Sequence, residues 1–219
     1  MLKTLEKNQV QLQIDSITLN GKFNMPENAL GVVIFTHGAG SGWQSPRNNY
    51  VAKYLEARGI GSLVAGLLTE EEDRIYENRF DIDLLTQRLQ AATNWVLLKT
   101  RNSKLPIGYF GASTGAAAAI KAAVAFDSNV KALVSRGGRP DLAWYELPLV
   151  KVPTLLIVGE NDPEVLELNK QAFFRLKTTK QLEIIPKAGH LFEEPGTLRQ
   201  AATLTGDWFE QYLCSDVRY

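Results

Sequence analysis

The pattern that most limits how this chain can fold is a recurrence of short apolar runs separated by stretches with helical spacing. Val32-Val33-Ile34-Phe35 and Leu155-Leu156-Ile157-Val158 contain no polar residue. A strand with one face in water alternates apolar and polar residues, whereas an unbroken apolar run needs cover on both faces. Six β-rich segments recur between helical patterns, and several of them are such runs: Gly31–Thr36, Ile60–Ala65, Ile107–Phe110, Val130–Ser135, Thr154–Val158 and Gln181–Ile185. Ahead of them, Val10–Ile14 and Ile17–Phe23 alternate and are split by Asp15-Ser16, which predicts an antiparallel hairpin at the start of the sheet.

Helices are predicted between these runs. Arg47–Arg58 follows Ser45-Pro46 and ends before Gly59. Phe80–Arg101 carries Leu84, Leu85, Leu89, Ala92, Trp95, Val96 and Leu98 near helical spacing. Ser113–Phe126, Glu164–Leu176 and Thr197–Leu213 complete the set, and Thr69 with Glu72 three residues on has the form of a capping box. The alternation predicts an α/β fold, a mostly parallel sheet of about eight strands with helices on both faces. No repeat, low-complexity tract or linker interrupts it, so residues 1–219 read as a single domain.

Composition excludes several classes. Lys+Arg and Asp+Glu both number 24, so no basic field exists to hold nucleic acid or an anionic membrane. The single cysteine, Cys214, excludes an intrachain disulfide. With only two histidines in addition, no metal site is expected. No run reaches the roughly 18 apolar residues of a membrane span. The opening MLKTLEKNQV has no apolar core of signal-peptide length, so the expectation is a cytoplasmic protein.

Chemistry is concentrated at Gly111-Ala112-Ser113-Thr114-Gly115. This is G-x-S-x-G between a predicted strand and a predicted helix, the setting of a nucleophile elbow, in which a strained turn lifts the serine hydroxyl clear of the sheet. At residue frequencies of roughly 7%, a chain of this length matches the pattern by chance about 7% of the time, so the motif alone does not decide. A serine hydroxyl also needs a base within hydrogen-bond reach and a group that orients that base. His190, in Ala188-Gly189-His190-Leu191-Phe192, follows the last strand, and loops at the C-terminal ends of parallel strands share one sheet edge. His190 is thus the predicted base. Asp162, in Gly159-Glu160-Asn161-Asp162-Pro163, is the predicted orienting acid, with Glu160 as alternate. Asp162 also reads as a helix N-cap before Pro163, and the two readings are compatible.

Acyl transfer further requires donors aimed at the developing oxyanion. Thr114 N–H, at a helix start beside the serine, is one candidate. The loop Thr36-His37-Gly38-Ala39-Gly40-Ser41-Gly42 offers Ala39 N–H as the second, with Gly40 as alternate and as a substrate contact. The loop lacks G-K-[ST] and is spaced G-x-G-x-G, which fails the phosphate-binding fingerprints. His37 is expected to brace it by hydrogen bonding.

These pieces together resemble an α/β-hydrolase of the dienelactone-hydrolase-like group. The resemblance is carried by HGAGSG at 37–42, GYFGASTGAAAA at 108–119, LLIVGENDPEV at 155–165 and AGHLFEEPG at 188–196, in the order serine, acid, histidine that α/β-hydrolases use. It implies the α/β-hydrolase fold and a Ser-His-Asp triad. The chain departs from true dienelactone hydrolases, which use a cysteine where Ser113 stands, and so resembles the serine esterases of the group.

The interval from Ser135 to Val152 is too short for a lid domain and predicts an open site for small or projecting acyl groups. Within it, Arg136 and Arg139 are candidates to hold a substrate carboxylate, with an ion pair to Asp141 as the structural alternative. Trp43, Trp144 and Tyr145 are candidate pocket walls or plain packing residues. The expectation is a serine hydrolase that cleaves a small-molecule carboxylic ester or thioester, without cofactor. An acyltransferase sharing the acyl-enzyme and a non-catalytic binding protein on the same fold are the alternatives. Nothing in the sequence speaks to oligomeric state.

Overall fold

The computed structural model describes residues 8–38 and 42–213. One sheet holds the strands β1 Gln9–Ile14, β2 Ile17–Asn24, β3 Val32–Thr36, β4 Gly61–Ala65, β5 Ile107–Ala112, β6 Val130–Arg136, β7 Thr154–Gly159 and β8 Lys180–Ile185. Their order across it is β1-β2-β4-β3-β5-β6-β7-β8. β1 and β2 form the expected hairpin, with Ile14 opposite Ile17 and Asp15 in the turn at φ 49°. β2 joins β4 antiparallel. All pairings from β4 through β3 and on to β8 are parallel.

The helices are α1 Pro46–Glu56, α2 Glu70–Asp73, α3 Ile82–Lys99, α4 Thr114–Ala125, α5 Pro163–Arg175 and α6 Thr197–Leu213. The apolar runs explain the layering. Successive side chains of a strand point to opposite faces. Val32 and Ile34 enter a core with Leu85, Leu89 and Val96 of α3 and Ala117–Ile120 of α4. Val33 and Phe35 enter a second core with Val51 and Leu55 of α1 and Phe209 of α6. Every residue of β3, β5 and β7 is buried, as strands covered on both faces require. The alanine run of α4 is fully buried at Ala116–Ala119, where methyl side chains let the helix lie close on the sheet.

The capping box forms as expected: Glu72 N–H donates to Thr69 Oγ1 at 3.1 Å and Thr69 N–H donates to Glu72 Oε2 at 2.9 Å. α3 starts later than the apolar spacing predicts. Asp81 caps it, accepting Leu84 N–H at 2.9 Å, and Tyr76–Phe80 is instead a 3-10 turn. The strand order reverses at β3, which lies between β4 and β5. A crevice opens at the carboxyl ends of strands at such a point.

Candidate active site

β5 runs straight into the elbow. Ser113 has φ 52° and ψ −128°, a conformation L-residues rarely adopt, and Thr114 opens α4 directly after it. Such a backbone costs about 1–3 kcal/mol and persists only where its surroundings hold it. Here β6 and its following loop do so: Ser113 N–H reaches Arg136 O at 3.4 Å, and Arg139 N–H donates to Ser113 O at 3.0 Å. The flanking glycines have steric causes. A Cβ on Gly111 would lie 2.5 Å from Ala116 Cα, and one on Gly115 would lie 2.8 Å from His37 O. The motif lets α4 lie against both β5 and the end of β3.

His190 stands in the loop after β8. Its Nδ1 is 2.7 Å from Asp162 Oδ2, with Asp162 in the loop after β7. Asp162 occupies the N-cap position of α5 with Pro163 following, but its carboxylate makes no capping bond. Of the two readings of Asp162, position and imidazole partner hold together, and the capping bond does not form. The alternate acid, Glu160, is committed elsewhere and accepts Lys187 N–H at 2.9 Å. Ser113 and His190 line one cleft of about 270 Å³. Among the described residues no hydrogen bond yet joins Ser113 Oγ to the imidazole. Such contacts commonly tighten only with substrate bound.

Thr114 is the first residue of α4, and a first-turn amide has no acceptor within its own helix. Its N–H therefore stands available beside Ser113. Ala39 and Gly40, the expected second donor and its alternate, lie outside the described residues. The brace expected of His37 is present. Leu67 N–H can only donate, so His37 Nε2 accepts it at 3.3 Å, and Nδ1 carries the proton toward Gly38 O at 3.1 Å. The imidazole thereby ties the loop after β3 to the loop after β4. Burial holds its pKa below the ordinary histidine value, with the Gly38 carbonyl opposing.

The remaining candidates separate. Arg136 is buried and lines the cleft. Arg139 instead makes a two-pronged pair with Asp141, at 2.9 and 2.8 Å, and is not a wall residue. Trp43 lines a different depression, of about 620 Å³ between the start of β2 and α2, where Lys22 lies 5.8 Å from its ring. Trp144 packs under Arg175 at 4.4 Å, and Tyr145 is 82% exposed, so neither forms the cleft. In their place the cleft is walled by Ser45, Arg47 and Asn48 at the start of α1, and by Phe80 and Leu191. Gly137 of the segment after β6 also lines it, and the segment after β4 contributes Phe80. The break between the capping box at Thr69 and the regular spacing of α3 is the sequence signal that marks it. No cluster of histidine, cysteine or carboxylate able to hold a metal occurs among the described residues. No helix among them is long and apolar enough to cross a membrane.

Comparison with known proteins agrees with this architecture. The dienelactone hydrolase family matches residues 20–212. A crystal structure of a dienelactone hydrolase from Anabaena variabilis is 48% identical, with a TM-score of 0.89 over 93% of this chain and 96% of its own. Est1E from Butyrivibrio proteoclasticus is 15% identical and shares the fold, with a TM-score of 0.79 over 94% of this chain and 98% of its own. A Mycobacterium tuberculosis protein named "Putative phosphoribosyl transferase" is 49% identical over 96% of this chain. The chain spans 47% of that relative's length. This chain belongs to the dienelactone hydrolase family and has the α/β-hydrolase fold.

Proposed function

We propose that this member of the dienelactone hydrolase family is a serine hydrolase cleaving a carboxylic ester or thioester through an acyl-enzyme. The observation that carries the reading is the strained elbow at Ser113, opening on the same cleft as an imidazole already oriented by Asp162. Ser113 Oγ attacks the carbonyl carbon while His190 Nε2 takes the hydroxyl proton. Asp162 accepts Nδ1–H, which fixes the tautomer with Nε2 free and stabilises the imidazolium that forms. The negative charge gathering on the carbonyl oxygen is met by Thr114 N–H, reinforced by the N-terminal end of α4, and by Ala39 N–H. The C–O or C–S bond then breaks, and His190 returns its proton to the leaving alkoxide or thiolate. Water enters and attacks the acyl carbon as His190 takes its proton, and His190 passes that proton to Ser113 Oγ as the acyl–serine bond breaks, releasing a carboxylic acid and free Ser113.

Ester cleavage by this route needs no metal or organic cofactor, and the same reading has the enzyme act on a small molecule in the cytoplasm. Phosphoribosyl transfer appears in the name of a relative of which this chain spans 47%. The test is a panel of 4-nitrophenyl esters of short acids. The wild type is expected to turn over, and Ser113→Ala to lose about 10³-fold or more in kcat. Wild-type turnover by Ser113→Ala rules the reading out.

A further inference from the structure

We propose that the wall of the Ser113 cleft formed by Arg136 is a binding subsite for an anionic group on the substrate. The subsite rests on the serine-hydrolase reading only for the reaction that follows binding. Arg136 ends β6 opposite Ala112, and its carbonyl receives Ser113 N–H, so the backbone that holds the nucleophile also fixes this side chain. The residue is 5% exposed and lines the cleft together with Ser113 and His190.

A guanidinium carries five N–H donors. Arg136 makes one long contact, from Nη2 to Asn48 Oδ1 at 3.5 Å. Its Nε and Nη1 are buried with no partner among the described residues. Phe110 and Phe192 flank it, with ring centroids 5.7 and 5.6 Å from Cζ, and neither brings a negative charge. Burial, and secondarily the charge of neighbouring Arg47, push the guanidinium down to about 10, which leaves it cationic at neutral pH. Arg47 itself reaches out to Glu193 at 3.0 Å.

Other arginines of this chain show what a structural role looks like. Arg58 meets Asp207 and Glu210, Arg88 meets Glu72, and Arg139 meets Asp141. Arg136 is more buried than any of these and has no carboxylate among the described residues. A buried charge is costly unless paired, and removing water from it without a partner is the unfavourable case. A ligand oxyanion entering the cleft supplies the missing partner. Carboxylate and phosphate oxygens share the chemistry that arginine recognises. In a cleft of about 270 Å³ this selects a short ester that bears its anion a few bonds from the scissile carbonyl.

Binding is measured by titration calorimetry on Ser113→Ala protein with monomethyl glutarate, neutral dimethyl glutarate and inorganic phosphate. The monoanion is expected to bind at least about 10-fold tighter than the diester. Arg136→Met is expected to remove that preference, and Arg136→Lys to restore part of it. Phosphate competing with monomethyl glutarate supports the subsite and extends it to phosphoryl groups. Phosphate binding alone, lost in Arg136→Met, supports it with the phosphoryl group as the ligand. With Ser113 intact, the ratio of kcat/KM for 4-nitrophenyl hemiglutarate to that for 4-nitrophenyl valerate is expected to fall about 10-fold or more from wild type to Arg136→Met. If the Ser113→Ala protein binds monomethyl glutarate no better than the diester, and phosphate not at all, the subsite is refuted even where the arginine variants fail to fold. Anion binding that depends on Arg136 in a protein without esterase activity would instead refute the hydrolase reading and leave the subsite standing.

Discussion

Asp162 Oδ2 lies 2.7 Å from Nδ1 of His190, although Asp162 also stands where it could cap α5 and does not. The carboxylate is committed to the imidazole across two loops. Asp162→Asn presents a donor to Nδ1 and so favours the wrong tautomer. A fall in kcat of about 10³–10⁴ is expected, with the fold retained. Glu160→Gln is expected to change kcat by no more than a few-fold, since Glu160 serves Lys187 N–H. Steady-state kinetics of the two variants, with circular dichroism as the folding control, rank the acids. Equal losses would contradict the assignment.

Gly38 faces Ser113 from the β3 side. A Cβ there would lie 2.6 Å from Ser113 Cβ and 3.1 Å from its Oγ. Gly38→Ala must push the serine or the loop aside. Overpacking of this kind costs about 1–3 kcal/mol, and a misplacement of about 1 Å at the reacting group costs roughly 10²-fold in rate. Urea unfolding and kcat measured together check both effects, and a variant with wild-type kcat would show that the serine is not held from this side.

His37 gives the fold an acid sensitivity. Burial lowers its folded-state pKa from 6.5. Between that depressed value and 6.5 the unfolded chain binds a proton that the folded chain does not. Stability therefore rises with pH through this window and falls as the solution is acidified below about 6.5. His37→Gln removes this contribution, so its unfolding midpoint is expected to shift less than that of the wild type between pH 7 and pH 5. Identical shifts would contradict a neutral His37 in the folded state.

The Arg139–Asp141 pair is partly solvent-facing, with side chains 34% and 19% exposed. Arg139→Ala is expected to cost no more than about 1 kcal/mol and to affect anionic and neutral esters alike. A rise in KM confined to anionic esters would transfer the anion-binding role from Arg136 to Arg139.

Most of the fold was legible because burial on both faces leaves a direct trace. Val32–Phe35 and Leu155–Val158 could be strands only in a covered sheet, and both are. The placement of Ser113 at the end of β5, and of Asp162 beside His190, was legible because all three follow strands of one parallel sheet and so share its carboxyl edge. Pocket walls were not. Trp43 and Tyr145 carry the right chemistry at the right edge, but whether an aromatic turns into a cleft depends on packing between segments distant in the chain. The predicted helix Phe80–Arg101 includes Phe80, whereas the cap at Asp81 starts α3 at Ile82 and leaves Phe80 outside it, lining the cleft. The two arginines illustrate the same limit. Arg139 finds Asp141 two residues away, but that Arg136 meets no carboxylate among the described residues follows from what β6, α1 and the His190 loop bring around it.

Whether Ser113 is the nucleophile is decided by reaction of the folded protein with a fluorophosphonate, followed by peptide mass mapping. One stoichiometric adduct on Ser113 is expected, strongly slowed in His190→Ala and abolished by prior unfolding. An unlabelled Ser113 in the folded protein, or an adduct on another residue at comparable rate, would contradict it.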